Sequence, residues 1–105
     1  MSQLVGELPS PLTDGSHRYR ASIYADQLPD GRWEAWLEFT DLGTGDCALT
    51  GVETRQHDLR QLLGWVRGLT PRYVEGSFAR ARRRFGEFAP AGLVRPHRRR
   101  TIERS

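Results

Sequence analysis

The chain of 105 residues contains no lysine, one cysteine, one methionine and no long apolar run. Each scarcity excludes something. A membrane-spanning helix needs about 20 consecutive apolar residues, and no stretch approaches that length. Met1 to Pro11 has no basic flank followed by an apolar run, so it does not read as a secretory leader. Cys47 stands alone and cannot form an intrachain disulfide, which removes any sign of an oxidising compartment. The expectation is a cytoplasmic protein with no membrane role. With lysine absent, all 16 basic residues are arginine, a usage that fits a GC-rich genome. Every cation is therefore a planar fork suited to phosphate or carboxylate.

The formal net charge of +3 hides a division by position. Residues 1–79 hold 7 Arg against 11 Asp and Glu, a balance of −4. Residues 80–105 hold 9 Arg against 2 Glu, a balance of +7, and the two together give the +3. An acidic body is joined to a basic end. Hydrophobic residues make up 37%, low for a globular chain, so part of it is expected outside the core. The length supports a single domain.

Residues 1–17, with Pro9, Ser10, Pro11, Gly15 and Ser16, read as a flexible lead-in. Period-2 alternation then marks a strand over Arg18–Asp26, with Tyr19, Ala21, Ile23 and Ala25 on one face. Leu28-Pro29-Asp30-Gly31 supplies turn chemistry. A second alternating strand runs from Arg32 to Thr40, with Trp33, Ala35, Leu37 and Phe39 facing one way. Setting Asp26 against Arg32 pairs Tyr19 with Phe39, Ala21 with Leu37 and Arg20 with Glu38. After a turn at Gly43–Asp46, Cys47–Glu53 reads as a third strand, with Cys47 and Leu49 continuing the apolar face.

Thr54 can cap a helix over about Arg55–Arg67, whose stripe is Leu59, Leu62, Leu63 and Val66 and whose stop is Gly68. Thr70-Pro71 starts another, with Val74, Phe78, Ala81 and Phe85 on its apolar side. The expected fold is α+β: a three-stranded antiparallel β-meander followed by two α-helices (β-β-β-α-α), one small layer of helix on sheet. The expected organisation is a flexible segment 1–17, one domain 18–88, and a disordered basic tail 89–105.

Catalytic chemistry finds little support. Cys47 on a strand reads as a small core residue, with no motif for a thiolate around it. His17, His57, His97 and Cys47 lack metal-ligand spacing, so neither metal nor cofactor is expected. Asp26, Asp30, Asp41 and Asp46 flank turns and are explained by turn chemistry. No small-molecule substrate is indicated, and the chain reads as a non-enzyme.

Two features point to binding. Tyr24 and Trp36 fall on the sheet face opposite the predicted core, amid Arg20, Arg32, Glu34 and Glu38, a composition that suits a protein interface or homodimer. Arg72, Arg80, Arg82, Arg83 and Arg84 on the second helix, with Arg98, Arg99 and Arg100 beyond it, could neutralise phosphates or an acidic protein surface.

Tyr19, Asp30-Gly31-Arg32-Trp33, Phe39-Thr40-Asp41-Leu42 and Thr50-Gly51-Val52-Glu53-Thr54, followed by an amphipathic helix, give the stretch Tyr19–Leu69 a resemblance to the HicB-type antitoxin domain. The chain departs from that pattern in lacking a Pro-Gly-Cys after the second strand and a second DNA-binding domain after residue 70. The resemblance implies a toxin-neutralising regulator with a cognate toxin as partner. Fold likeness alone does not carry function.

Overall fold

The alternation along His17–Gln27 and Trp33–Asp41 sorts the apolar side chains of the sheet onto one face and thereby sets where both helices dock. The structure, a computed structural model, describes residues 2–85. Its elements are β1 Gln3–Glu7, β2 Leu12–Asp14, β3 His17–Gln27, β4 Trp33–Asp41, β5 Cys47–Leu49, β6 Thr54–Gln56, α1 Leu59–Arg67 and α2 Pro71–Phe85. The sheet is six-stranded and antiparallel, in the order β1-β3-β4-β5, with β2 also on β3 and β6 also on β4. The class is α+β, but the expected three-stranded meander is replaced by six strands.

The extra strands arise from two sources. Residues 3–7 and 12–14, expected within a flexible lead-in, pair with the long strand β3. Their prolines sit between the strands, at Pro9 and Pro11, where no ladder hydrogen bond is lost. The third expected strand, Cys47–Glu53, is divided. β5 ends at Leu49, and Thr50 bridges the gap by accepting the Leu37 N–H on its hydroxyl at 2.9 Å. β6 then resumes at Thr54, the residue expected to cap the helix. Asp58 takes that role four residues later, its carboxylate accepting the Gln61 N–H at 2.8 Å.

The β3–β4 register is displaced by two from the expected pairing. Tyr19 faces Asp41, Ala21 faces Phe39, Ile23 faces Leu37 and Gln27 faces Trp33. The cause is the place where the turn closes, centred on Asp30 one residue later than the expected pairing puts it. The Leu28 N–H donates to the Arg32 carbonyl, the Asp30 carboxylate accepts the Arg32 N–H, and Gly31 sits at φ +94°. A two-residue shift preserves which face each side chain occupies, so the apolar set was assigned to the right side. Arg20 consequently opposes Thr40 rather than Glu38, and its guanidinium pairs with Glu7 of β1 at 3.3 Å.

Both helices cover that apolar face. Leu62 of α1 and Val74, Phe78 and Ala81 of α2 join Tyr19, Ala21, Ile23, Ala25, Ala35, Leu37 and Phe39 in one core. Phe78 lies 4.8 Å from the Tyr19 ring and 5.1 Å from the Phe39 ring, centroid to centroid. Ala48, not Cys47 or Leu49, is the β5 residue facing this core. Gly6 of β1 lies close beneath α1: a Cβ there would stand 2.9 Å from Val66 Cγ1. α2 begins at Pro71 behind Thr70, whose hydroxyl accepts the Tyr73 N–H at 3.1 Å.

Candidate binding surfaces

The arginines of α2 divide into those that hold the helix to the sheet and those that do not. Arg80 donates to Glu53 at 2.6 Å and lies over the Tyr73 ring, 5.7 Å from its centroid. The Tyr73 hydroxyl donates to the same Glu53 oxygen, also at 2.6 Å. Burial, followed by the Glu53 carboxylate, pushes the Tyr73 phenol up to about 12. Arg82 reaches back to Asp14 on β2 and stacks over Phe78 at 5.4 Å. Two of the eight candidate arginines thus serve intramolecular contacts. Arg72 is exposed in the first turn of α2. Arg83 and Arg84 occupy its last turn, while Arg98, Arg99 and Arg100, with the rest of the expected tail 89–105, lie outside the described residues.

The opposite face of the sheet is built from the other parity of the same strands. Tyr24 stands against Trp36, Asp26 against Glu34 and Ser22 against Glu38. The Tyr24 and Trp36 rings are stacked with centroids 6.4 Å apart. Arg55 of β6 approaches Glu34 with its Nε 3.2 Å from the carboxylate, and the Ser2 hydroxyl donates to Asp26 at 3.3 Å. Asp26 is therefore a strand residue of this face, not a turn residue. Trp36 is only 2% exposed and Glu34 and Glu38 are 0% and 2%, although α1 and α2 both lie on the other side. The sequence singled out Tyr24 and Trp36 as exposed aromatics. The structure places them together but withdraws Trp36 from solvent. The importance of Asp26, Glu34 and Glu38 was missed, though their even-numbered alternation with Tyr24 and Trp36 carried the signal.

The remaining acidic candidates are structural. The Asp30 carboxyl is lowered below the ordinary carboxylate range, first by the Arg32 backbone N–H. Asp41 is lowered as well, first by the Gly43 N–H at 2.8 Å and then with help from the His17 ring at 3.0 Å. Both accept hydrogen bonds from residues two positions on, which is turn geometry. Cys47 is half-buried, with its thiol 3.5 Å from the Gly45 carbonyl.

A shallow groove of about 350 Å³ runs between the β1–β2 connection and the start of α2, lined by Leu8, Pro9, Pro11, Pro71, Val74 and Glu75. Its walls are mainly apolar and it carries a single carboxylate. Among the described residues no three or more His, Cys, Asp or Glu are grouped to hold a metal ion. No described helix is long and apolar enough to cross a membrane. No family model, curated protein or solved structure matches the chain.

Proposed function

We propose that this protein is a non-catalytic binding module of the cytoplasm that engages an acidic partner, with nucleic acid as the first class to test. The arginines that serve are Arg72, Arg83, Arg84, Arg98, Arg99 and Arg100. Arg80 and Arg82 leave the set, because their guanidiniums already hold α2 to Glu53 and Asp14. The observation that carries the reading is the separation of charge: −4 over residues 1–79 against +7 over residues 80–105. Such a separation attracts a polyanion to one end of the molecule and repels it from the rest. A toxin-neutralising regulator that presents this end to an acidic surface of its toxin is one specific form of the same reading.

The test is the affinity of the full chain for labelled duplex DNA and single-stranded RNA across a salt series. Each phosphate neutralised contributes about 0.9 to the logarithmic salt slope on duplex DNA, so replacing Arg98, Arg99 and Arg100 by Ser should flatten the slope by up to about 2.7. Absent binding, or binding that salt leaves unchanged, refutes the nucleic-acid form.

A further inference from the structure

We infer that the groove between the β1–β2 connection and α2 is a docking site for an extended, cationic peptide of a partner protein. The peptide carries an apolar side chain on either side of a lysine or arginine, and that cation meets Glu75. Shape, charge and backbone chemistry each point to this occupant.

The hollow of about 350 Å³ beside Leu8, Pro11 and Val74 adjoins a second of about 230 Å³ beside Phe78 and Ala79. Leu12, Thr13 and Glu75 border both. On the helix side the lining is Pro71, Val74, Glu75, Phe78, Ala79 and Arg82, a single stripe at helical spacing. Eleven residues of helix make that wall about 16 Å long, which an extended peptide of about five residues matches. Alternate side chains of such a peptide stand about 6.6 Å apart on one face, close to the helical pitch of about 5.4 Å. Three same-face side chains therefore meet the successive turns at Pro71, Glu75 and Ala79. A shallow groove of this length suits a peptide better than a compact ligand.

The charge sits at the middle of the groove. Glu75 is exposed where the two hollows meet, and no cation among the described residues pairs with it. Asp14 and Arg82, at the far end, are paired with each other. Arg72, three residues before Glu75, lies outside the lining. Two carboxylates against one guanidinium leave the groove net negative, and apart from Arg82 it belongs to residues 1–79, whose balance is −4.

The backbone narrows the mode of recognition. Pro9 and Pro11 have no N–H, so the sheet edge at these residues cannot donate to an incoming strand. Side chains carry the recognition instead: apolar contact holds the peptide, and Glu75 selects its charge. The groove shares no residue with the arginines proposed for the polyanion, so the two sites stand or fall separately.

The test titrates the full chain, without nucleic acid, with acetyl-Leu-Ser-Arg-Ser-Leu-amide and follows amide NMR shifts. Saturable shifts are expected at Leu12, Thr13, Val74 and Glu75, with Tyr24 and Trp36 in place. Glutamine for the peptide's arginine should weaken binding about two- to fivefold, the size of an exposed ion pair. Serine for both leucines should weaken it about tenfold or more. Glu75→Gln, an exposed change, should bring the arginine peptide down to the affinity of the glutamine peptide, the coupling expected of a direct pair. Absence of saturable shifts at the groove overturns the inference. So does equal affinity for the arginine and glutamine peptides, or a preference for glutamate at that position. Groove shifts that grow with protein concentration alone overturn it too, because they hand the groove to a second copy. Peptide binding in a chain without nucleic-acid affinity would support this inference and refute the nucleic-acid form of the polyanion reading. Nucleic-acid binding without peptide binding would do the reverse.

Discussion

Replacing Phe78 by Ala tests whether α2 belongs to the core or is an arm appended to it. The Phe78 side chain is 7% exposed and its ring meets Tyr19 at 4.8 Å and Phe39 at 5.1 Å. Removing a buried phenylalanine ring costs about 3–5 kcal/mol, the sum of lost transfer free energy and the cavity left behind. Two aromatic partners place Phe78 toward the upper part of that range. A domain of this size has about 5–15 kcal/mol in total, so the variant should keep a cooperative transition near the margin of stability. With a urea m-value of about 1.5 kcal/mol/M, the midpoint should fall by roughly 2–3 M. The assay is urea unfolding of the full chain followed by far-UV circular dichroism. Arg72→Ala serves as the control, since Arg72 is exposed on the same helix and should change stability by no more than about 0.5 kcal/mol. A loss below about 1 kcal/mol for Phe78→Ala would refute the reasoning and make α2 an arm.

Gly6→Ala places a methyl 2.9 Å from Val66 Cγ1 and 3.3 Å from Ile23 Cδ1, forcing β1 away from α1. Overpacking of this kind costs about 1–3 kcal/mol, and a melting temperature equal to that of the parent would contradict the close approach. The raised phenol of Tyr73 makes a signed prediction. The fold favours its neutral form, so this contribution to stability is fully present below the ordinary value of 10.0 and is lost as pH climbs from there through about 12. Burial and then the Asp41 carboxylate raise the Tyr19 phenol as well, so titration of phenolate absorbance should show late tyrosines, and Tyr73→Phe should remove one tyrosine's amplitude near 12. If the amplitude there is unchanged by that substitution, the Glu53–Tyr73–Arg80 arrangement does not exist in solution.

The legible part of the fold was whatever period could carry. Alternation in β3 and β4 assigned Ala21, Ile23, Ala35, Leu37 and Phe39 to one face, and the helical stripes of Leu62 and of Val74, Phe78 and Ala81 found the elements that cover it. Register was not legible, because it depends on how Leu28–Arg32 closes the turn, and periodicity is blind to a displacement of two. β1 and β2 were not legible for another reason. Short segments bearing polar residues have no pattern of their own and become strands only because β3 extends far enough to pair with both. The start of α1 was read at Thr54, but pairing of Thr54 with Ala35 in the sheet leaves the cap to Asp58, four residues later. At the candidate site, positional charge gave the basic end directly. What the sequence concealed was the acidic face. Glu34 and Glu38 read as a polar surround for exposed aromatics, and Asp26 read as part of a turn. Their proximity depends on β3 and β4 lying side by side in the observed register.

The claim that the basic end engages a polyanion is tested most directly by a probe beside it. In a Cys47→Ser background with Thr101→Cys, a fluorophore on residue 101 sits next to Arg98, Arg99 and Arg100 in the sequence. The account predicts that its anisotropy rises on titration with duplex DNA or single-stranded RNA and falls back as salt is added. An anisotropy that neither nucleic acid changes, or a rise that salt leaves in place, would contradict it.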